Sequence, residues 1–451
     1  LRGAVYVLDE PTIGLHPKDN EVLLKALKHL QNNGNTLVVV EHDEDTINRA
    51  DFVIDLGPGA GIEGGEIISS GSPEEIRKDE RSITGRYLNS PKRYCPSPAR
   101  VVENGSDSIY VNGATLNNLK SVDVRIPIGR LTLVTGVSGS GKSSLIRGVL
   151  RGNIDRFMSS PTLSRHEEKF TDCSKISGLD RVSKVIEVDQ SPIGKTSRSC
   201  PATYTGIWDE VRKLFASTTD AKVRGFGPAR FSFNTKGGRC EGCDGQGVQK
   251  IEMNFLPDVR SVCEVCHGDR FSKDTLQITY NRHSVADVLK LNIKDAATLF
   301  SAHPRISKKL KLLDELGLGY LTLGQQSSSL SGGEAQRIKL VSELSKFRSD
   351  SDVQRSKEID KTTLFILDEP TVGLHMADVE KLIEALMRLA NSGGTVVVIE
   401  HNTDVISSAD WVIDLGPEGG EGGGHILFQG TCENLAQQRD SATGAALKNL
   451  H

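Results

Sequence analysis

The 451-residue sequence lacks several features that would mark particular classes of protein. No apolar run approaches the roughly 18 residues that a transmembrane helix needs, and the first residues, LRGAVYVLDEP, do not form a signal peptide. We therefore expect a cytoplasmic protein without a membrane partner. Eight cysteines are too few for a disulfide scaffold in a chain of this size. The net charge of −4 does not indicate a chain-wide polyanion partner, so any nucleic-acid surface must be local.

The bulk composition is that of a soluble globular protein. Hydrophobic residues make up 37% and charged residues 25% of the sequence, and its length suits two or three domains. The chain has no initiator Met and opens directly on an apolar run. We therefore expect a fragment whose upstream part is missing.

The chain contains an internal repeat at an offset of 359 residues. Residues 8–58, beginning LDEPTIGLH, match residues 367–417, beginning LDEPTVGLH, without a gap. Asp9 corresponds to Asp368, Glu10 to Glu369, and His42 to His401. The correspondence extends to Thr84 and Thr443. The chain therefore holds two copies of one module's C-terminal part.

Each copy has the pattern strand, turn, helix, strand. The runs AVYVLDE and TLVVVEH are continuously apolar, which is typical of strands buried on both faces of a mainly parallel sheet. The segment NEVLLKALKHL has the spacing of a helix that covers such a sheet. The predicted fold class is α/β, with a mainly parallel sheet flanked by helices.

A phosphate-binding loop follows the apolar strand RLTLVT. The sequence VTGVSGSGKSS fits the Walker A pattern and precedes the helix-like run SLIRGVL. Glycines at this spacing let backbone N–H groups converge on phosphates at a helix N-terminus. We expect Lys142 to contact the β- and γ-phosphates of ATP and Ser143 to bind Mg²⁺. The predicted phosphate-binding residues are Gly136, Ser138, Gly139, Gly141, Lys142, Ser143 and Ser144.

Two acidic residues end the strand LFILDEP. Asp368 is placed to hold Mg²⁺, and Glu369 is placed to polarise the attacking water. His401, after TVVVIE, is the predicted switch histidine that senses the γ-phosphate. The corresponding predictions in the first copy are a nucleotide-binding role for Asp9 and catalytic roles for Glu10 and His42.

The segment LSGGEAQRIKL is the ABC signature. Ser331, Gly332 and Gly333 offer a hydroxyl and backbone donors at a helix start, where a γ-phosphate can bind. Gln190, in VIEVDQSP, fits the Q-loop that links nucleotide to the attached domain. The sequence therefore predicts an ABC-type P-loop ATPase with a helical signature subdomain.

An insertion of unusual length separates Ser143 from Ser331. The 187 intervening residues contain the pattern CxxC-x19-CxxC, formed by Cys240, Cys243, Cys263 and Cys266. This spacing is typical of a tetrahedral structural Zn²⁺ site. The remaining cysteines, Cys95, Cys173, Cys200 and Cys432, are isolated, and we expect packing or surface roles for them.

The stretch 191–240 is locally basic. It contains nine basic and three acidic residues, a balance of +6, which suits contacts to DNA phosphates. Its candidate DNA-binding residues are Lys195, Arg198, Arg224, Arg230, Lys236 and Arg239.

Several longer motifs resemble the UvrA family, the damage-recognition ATPases of the bacterial UvrABC excinuclease. They include QSPIGKTSRSCPATYTG, RFSFNTKGGRCEGC, IEMNFLPDV and ADWVIDLGPEGG. The resemblance covers essentially the whole chain, with Cys200 as a visible departure where Asn is expected. It implies nucleotide excision repair, damaged double-stranded DNA as ligand, a UvrB-like partner, a homodimer, and ATP, Mg²⁺ and Zn²⁺ as cofactors.

We expect six segments along the chain. Residues 1–90 form the C-terminal part of a first ABC half, 91–108 a linker, and 109–190 the N-terminal part of a second ABC core. Residues 191–281 form a DNA-binding insertion with the zinc module, 282–345 the signature region, and 346–451 the C-terminal part of the second core. ABC sites pair the Walker A loop of one half with the signature of the other. We therefore expect this chain to bind ATP and to hydrolyse it weakly alone.

Two other functions stay open at this point. The phosphate motifs alone fit the ATPase subunit of a transporter, although the cysteine insertion and the basic stretch favour DNA binding. A UvrA-like paralogue that protects against DNA-binding drugs would share all the motifs.

Overall fold

The structure is a computed structural model. It describes residues 2–59, 61, 64–89, 102–103, 105–159, 170–194, 196, 198–251, 259–346 and 361–448. The larger of two compact units comprises Leu1–Pro58, Gly64–Asp189 and Arg348–His451, and the smaller comprises Gly59–Glu63 and Gln190–Phe347. Lys195 and most of the predicted linker lie outside the described residues.

The first repeat consists of four short strands and four helices. In chain order they are β1 (Val5–Asp9), α1 (Pro17–Asn32), β2 (Thr36–Val40), α2 (Glu44–Asn48), β3 (Val53–Gly57), β4 (Glu66–Gly71), α3 (Pro73–Lys78) and α4 (Ile83–Asn89). Strands β1 and β2 pair in parallel, and β3 and β4 pair antiparallel. The repeat therefore contains two separate two-stranded sheets.

The second repeat follows the same order of elements. They are β14 (Thr362–Asp368), α14 (Met376–Asn391), β15 (Thr395–Ile399), α15 (Thr403–Ser407), β16 (Trp411–Gly416), β17 (His425–Gly430), α16 (Cys432–Leu435) and α17 (Ala442–Lys448). Helices α1 and α14 both begin after a histidine that caps the helix. The predicted pattern of strand, turn, helix and strand is confirmed in both copies.

The segment before the insertion supplies further strands. They are β5 (Ser108–Ala114), β6 (Val122–Pro127), β7 (Leu131–Gly136), β8 (Lys175–Ser177) and β9 (Val182–Val188). A π-helix, Ser144–Arg151, leads into α5 (Gly152–Ser159). Strands β6, β5 and β8 form a small antiparallel sheet, while β7 and β9 join the central sheet.

The central sheet has six strands in the order β17, β16, β7, β15, β14, β9. Its neighbouring strands are parallel except at β17, which is antiparallel to β16. Residues of β7, β14, β15 and β16 pack with the π-helix and with β5 and β6 in one apolar core. The predicted mainly parallel sheet, buried on both faces, is confirmed for the second repeat.

The prediction that the strands of the first repeat are buried on both faces is wrong. Val38 in β2 is 49% exposed, whereas its counterpart Val397 in β15 is 0% exposed. The difference has a direct cause in the topology. In the second repeat β7 lies between β15 and β16, and the π-helix packs on the same core. No described residue supplies either element between β2 and β3, so this face of the first repeat stays open.

The smaller unit is mainly helical. Its helices are α6 (Pro201–Tyr204), α7 (Ile207–Ser217), α8 (Thr219–Val223), α9 (Lys273–Leu276), α10 (Val285–Lys290), α11 (Ile293–Leu299), α12 (Pro304–Glu315) and α13 (Gly332–Leu344). Two antiparallel ribbons complete it, and they are β10 (Val248–Ile251) with β11 (Val259–Val262), and β12 (Thr279–Tyr280) with β13 (His283–Ser284).

Two interior features hold the smaller unit together. The rings of Trp208, Phe233 and Phe271 pack against one another with centroids 5.8 to 6.4 Å apart. Aromatic pairs at such separations add stabilisation beyond the apolar area that they bury. The four paired cysteines form a second buried cluster. Among the described helices, none combines the length and apolarity needed to cross a bilayer.

Candidate nucleotide site and metal centre

The phosphate loop connects β7 to the π-helix. Gly136, Gly139 and Gly141 adopt φ values of 130°, 74° and 107°, which favour glycine. A Cβ on Gly136 would also collide with the carbonyl oxygen of Leu415. The helix begins at Ser144, directly after Ser143. The loop therefore has the glycine-dependent path and the helix N-terminus that a phosphate cradle requires.

Lys142 is buried beneath this loop. Its Nζ donates to the carbonyl oxygens of Gly136 and Val137, both at 2.9 Å. Burial lowers the pKa of Lys142 to about 8, although carboxylates including Glu369 favour the charged form. The ammonium group is thus held at the base of the loop, where it can face a phosphate.

Asp368 ends β14 beside the phosphate loop's helix. Its Oδ2 lies 2.9 Å from Nη1 of Arg147 in the π-helix, and Nε of Arg147 lies 2.9 Å from Oε1 of Glu187. Burial raises the pKa of Asp368, and Arg147 opposes that shift. The motif reading did not identify Arg147, because an arginine in an apolar helical run carries no signal of its own. The ion pair fixes the carboxylate that we assign to Mg²⁺.

Glu369 has a backbone conformation that is rare for its residue type. Its φ is 44°, and Glu10 has the same feature with φ of 43°. Burial raises the pKa of Glu369 to about 7, and the charges of Asp368 and Glu400 act in the same direction. A carboxylate with a pKa near neutrality is suited to general-base chemistry.

The predicted switch histidine, His401, is held by the residue before it. Glu400 accepts from the backbone N–H of His401 at 2.6 Å and from that of Asn402 at 2.9 Å. Its other oxygen accepts from the Thr371 hydroxyl at 2.5 Å. Burial keeps the pKa of His401 far below its ordinary value, so the ring is neutral. Its Nε2 lies 3.7 Å from Oε1 of Glu369.

The first repeat reproduces this arrangement in a more open form. Nε2 of His42 lies 3.4 Å from Oε1 of Glu10, and Glu41 accepts from the backbone of His42 at 2.9 Å. Asp9 ends β1 and is exposed. Glu41 and Glu400 were not among the predicted site residues, although each directly precedes the corresponding histidine in its repeat, which is a signal in the sequence.

Both predicted catalytic pairs open into one cavity. The cavity has a volume of about 1040 Å³ and is lined by Glu10, His42, Glu369 and His401 among residues of both repeats. Gly14 of the first repeat lies against Glu369, since a Cβ there would come within 2.8 Å of the carboxylate. The structure therefore brings together glutamates and histidines that the sequence separates by 359 residues.

The signature segment begins α13 in the smaller unit. Ser331 caps the helix, because its Oγ accepts from the Glu334 N–H at 3.2 Å while Oε2 of Glu334 accepts from the Ser331 N–H at 2.7 Å. Gln190 lies beside Gly332, where a Cβ would come 3.2 Å from that of Gln190. Gly333 follows in the first turn and is buried.

The four paired cysteines form a compact candidate metal centre. The sulfur atoms of Cys240, Cys243, Cys263 and Cys266 all lie within 4.8 Å of one another. The N–H of Gly247 donates to Sγ of Cys243 at 3.2 Å. Four converging thiols supported by backbone donors fit a structural Zn²⁺ ion. They leave no ligand position for catalysis.

The candidate DNA-binding arginines differ in how freely they can reach a phosphate. Arg198 donates to the carbonyl of Asp244 at 3.0 Å, and Arg224 is exposed although it contacts Gln277 at 2.6 Å. Arg230 donates to Thr275 at 3.0 Å. Lys236 is exposed.

Arg239 is the candidate least suited to DNA contact. Its side chain is only 11% exposed and forms ion pairs with Glu241 and Asp244 beside the first CxxC pair. These contacts give it a role in holding the cysteine segment.

The whole chain aligns with known proteins. UvrABC system protein A of Bacillus subtilis is 51% identical over 448 residues, which are 99% of this chain and 45% of that protein. The solved structure of UvrA2 from Deinococcus radiodurans matches with a TM-score of 0.86 and 46% identity, over 100% of this chain and 52% of that one. A model of ribosome-bound archaeal Pelota and ABCE1 shares the fold, with a TM-score of 0.50 and 16% identity over 96% of this chain and 54% of that one. No protein-family model matches the chain.

The sheet topology and these matches define the fold of an ABC-type P-loop ATPase with an added cysteine module. Along its whole length the chain is homologous to UvrA, and it spans about half the length of the curated relatives that it matches. The predicted fold class and the family resemblance are both confirmed.

Proposed function

We propose that this chain takes part in ATP-dependent recognition of damaged DNA in nucleotide excision repair, as a UvrA-type protein. One observation carries the proposal. A complete phosphate loop and a buried four-cysteine centre occur in one chain that is 51% identical to proteins named UvrABC system protein A. This combination favours repair over the ATPase subunit of a transporter. The experiment below separates it from a drug-resistance paralogue.

The segment before the insertion and the second repeat together supply the residues for ATP binding. The loop Gly136–Ser144 cradles the phosphates through backbone N–H groups, and Lys142 neutralises their charge from below. Ser143 and Asp368 would hold Mg²⁺, which would supply charge neutralisation for the phosphates. The ion pair between Arg147 and Asp368 orients that carboxylate before nucleotide arrives.

Glu369 and His401 are the residues that act in ATP hydrolysis. Glu369 accepts a proton from the attacking water, for which a pKa of about 7 is well matched. The neutral His401 lies beside it and donates a hydrogen bond toward the γ-phosphate. Ser331 and the helix start behind it serve a phosphate loop of a complementary ABC half. Residues 1–90 contain no phosphate loop, so we expect weak hydrolysis by this chain alone.

The cysteine centre has a structural role in DNA binding. Cys240, Cys243, Cys263 and Cys266 would hold Zn²⁺ as four thiolates, and the ion would tie the two CxxC pairs together. Among the basic candidates that the structure describes, Arg224 and Lys236 are exposed. They contribute phosphate contacts that give affinity without sequence preference, while lesion selectivity comes from the altered shape of the duplex.

The family relationship suggests two protein partners, a second copy of this chain and a UvrB-like protein. A homodimer would present two copies of the DNA-binding insertion to one duplex, and a UvrB-like protein would receive the lesion. The local positive balance of residues 191–240 suits a polyanion although the whole chain has a net charge of −4.

The test is equilibrium binding of the zinc-loaded protein to a lesion-bearing duplex and to its undamaged twin. Salt is held constant because phosphate contacts make affinity strongly salt-dependent. We expect tighter binding to the lesion, and loss of this preference in Cys266→Ser. The control is Cys173→Ser, since Cys173 is a half-buried thiol outside the centre. Equal affinity for the two duplexes would contradict damage recognition and favour the paralogue.

A further inference from the structure

His16 joins the two repeats through a chain of hydrogen bonds. It follows the LDEPTIG motif of the first repeat and caps α1, because its Nδ1 accepts from the N–H of Lys18 at 3.2 Å. A neutral imidazole that accepts at Nδ1 carries its proton on Nε2. The cap therefore fixes which nitrogen can donate.

That donor faces a hydroxyl of the second repeat. Nε2 of His16 lies 3.1 Å from Oγ1 of Thr443, and both side chains are buried. Oγ1 of Thr443 donates in turn to Oδ1 of Asp414 at 3.0 Å. Because a threonine hydroxyl has one proton, its donation to Asp414 leaves it as the acceptor for His16. The direction of the chain is thus set at each step.

The same arrangement occurs a second time with the repeats exchanged. Nδ1 of His375 accepts from the Ala377 N–H at 3.2 Å, and its Nε2 lies 3.2 Å from Oγ1 of Thr84. Oγ1 of Thr84 donates to Oδ1 of Asp55 at 2.8 Å. Each member corresponds to its counterpart by the offset of 359 residues. A contact that recurs reciprocally is a property of the repeat interface and not of one local packing arrangement.

The chain from His16 ends beneath the phosphate loop. Asp414 in β16 is the register partner of Thr135 in β7, the residue before Gly136. Thr135 Oγ1 also lies 3.3 Å from Thr443 Oγ1. The charges of Asp414 and Lys142 influence each other, which places the carboxylate near the loop's lysine. The hydrogen-bond chain therefore supports the floor of the predicted ATP site.

Helix α1 makes a second contact with the same site. Oδ2 of Asp19, in its first turn, accepts from the N–H of Ser138 in the phosphate loop at 3.2 Å. The ring of His16 also meets that of His401 edge-on, with centroids 5.6 Å apart. The first turn of α1 thus touches the loop, its floor and the switch histidine of the other repeat.

We propose that His16 is a positioning residue that acts across the repeats, holding Thr443 and Asp414 of the second repeat so that the phosphate loop after β7 keeps its binding geometry. His375 holds Thr84 and Asp55 of the first repeat in the same way. The inference rests on the proposed function, because it takes Gly136–Ser144 to be an ATP site.

Two substitutions separate the two bonds that His16 makes. His16→Asn keeps a side-chain acceptor for the helix cap but is too short to reach Thr443, whereas His16→Gln keeps a donor at that distance. The affinity of the full chain for Mg²⁺ and a non-hydrolysable ATP analogue is measured for each, together with unfolding in urea. We expect His16→Asn to weaken binding about fivefold, the effect of one net hydrogen bond, and His16→Gln to stay within about twofold. The control is His29→Asn, because His29 is exposed at the far end of the same helix.

A double-mutant cycle with Thr443→Val identifies the partner. If the two side chains act through one bond, the combined variant loses about fivefold in affinity and not about twenty-five-fold. If the combined variant lost affinity by the product of the two single losses, the proposal would be overturned. Equal loss of unfolding stability in His16→Asn and His16→Gln, with affinity unchanged, would also overturn it.

The same measurements separate this proposal from the proposed function. Failure of the wild-type chain to bind the analogue would refute the ATP site, and the positioning role would fall with it. The same double-mutant cycle can be measured on the free energy of unfolding in urea. Non-additive effects of His16→Asn and Thr443→Val on that free energy would still show that the contact between the repeats exists in solution.

Discussion

The open face of the first repeat can be tested with two chemically identical substitutions. Val38 in β2 and Val397 in β15 occupy the same position of the repeat, but they are 49% and 0% exposed. Val→Ala removes two methyl groups in each case. The residue type and the strand position are the same in both cases. The difference between the two losses of stability therefore measures how much more deeply β15 is buried than β2.

The expected magnitudes follow from burial. Removing two buried carbons costs about 1.6 kcal/mol of transfer free energy, and the cavity left in a packed core raises the total to about 2–3 kcal/mol. Val397 lies in the apolar core with the π-helix, so Val397→Ala should reach this range. Val38→Ala should stay within about 0.5 kcal/mol, as surface substitutions do.

Hydrogen exchange followed by mass spectrometry measures the local stability of each repeat separately. The peptides that contain residues 36–40 and 395–399 report the local opening free energy of β2 and β15. We expect the loss of protection in β15 for Val397→Ala and almost none in β2 for Val38→Ala. A loss of about 2 kcal/mol in β2 would refute the reasoning, because it would mean that the face of the first repeat is covered in solution.

Three further predictions concern the sites. His16 is buried with its pKa lowered to about 4 from 6.5, so the unfolded chain binds a proton at this residue that the folded chain does not. The contribution of His16 to the loss of stability between pH 6.5 and pH 4 should therefore be about 3 kcal/mol. Urea unfolding at each pH measures this loss, and His16→Asn should reduce it. Removing Zn²⁺ with a chelator, or replacing Cys266 by Ser, should unfold the segment around Trp208 and shift the fluorescence of that buried ring to the red. Glu369→Gln should retain ATP binding and lower the rate of phosphate release by about 10²-fold or more, since the general base is lost; an unchanged rate would assign the base elsewhere.

Local sequence was sufficient for the features that depend on local geometry. The path of the phosphate loop requires positive φ values, which glycine adopts without strain. The spacing of the CxxC pairs determines which four thiols can converge. The helix start predicted at Ser331 is also local, because the structure caps it with Glu334, three residues away. Each of these predictions needed no knowledge of a distant partner.

The features that the sequence reading missed depend on distant contacts. Arg147 acquires its role only when β14 brings Asp368 beside the π-helix. The strands of the first repeat have apolar sequences that predict burial, but burial also requires a covering strand, which the apolar pattern cannot supply. His16 and Thr443 are separated by 427 positions. The repeat shows that Thr84 corresponds to Thr443, but the sequence does not indicate that His16 is the hydrogen-bond partner of Thr443.

The two reciprocal chains of hydrogen bonds are not expected to be equally strong. His16, Thr443 and Asp414 are all buried, whereas His375 and Asp55 are half-buried. A hydrogen bond to a carboxylate is stronger where water is excluded, and its loss leaves a costlier unpaired group. The chain that begins at His16 also ends under a complete phosphate loop, while that of His375 ends in the open sheet of the first repeat. Breaking the hydrogen-bond chain at His16 should therefore cost more stability than breaking the corresponding chain at His375.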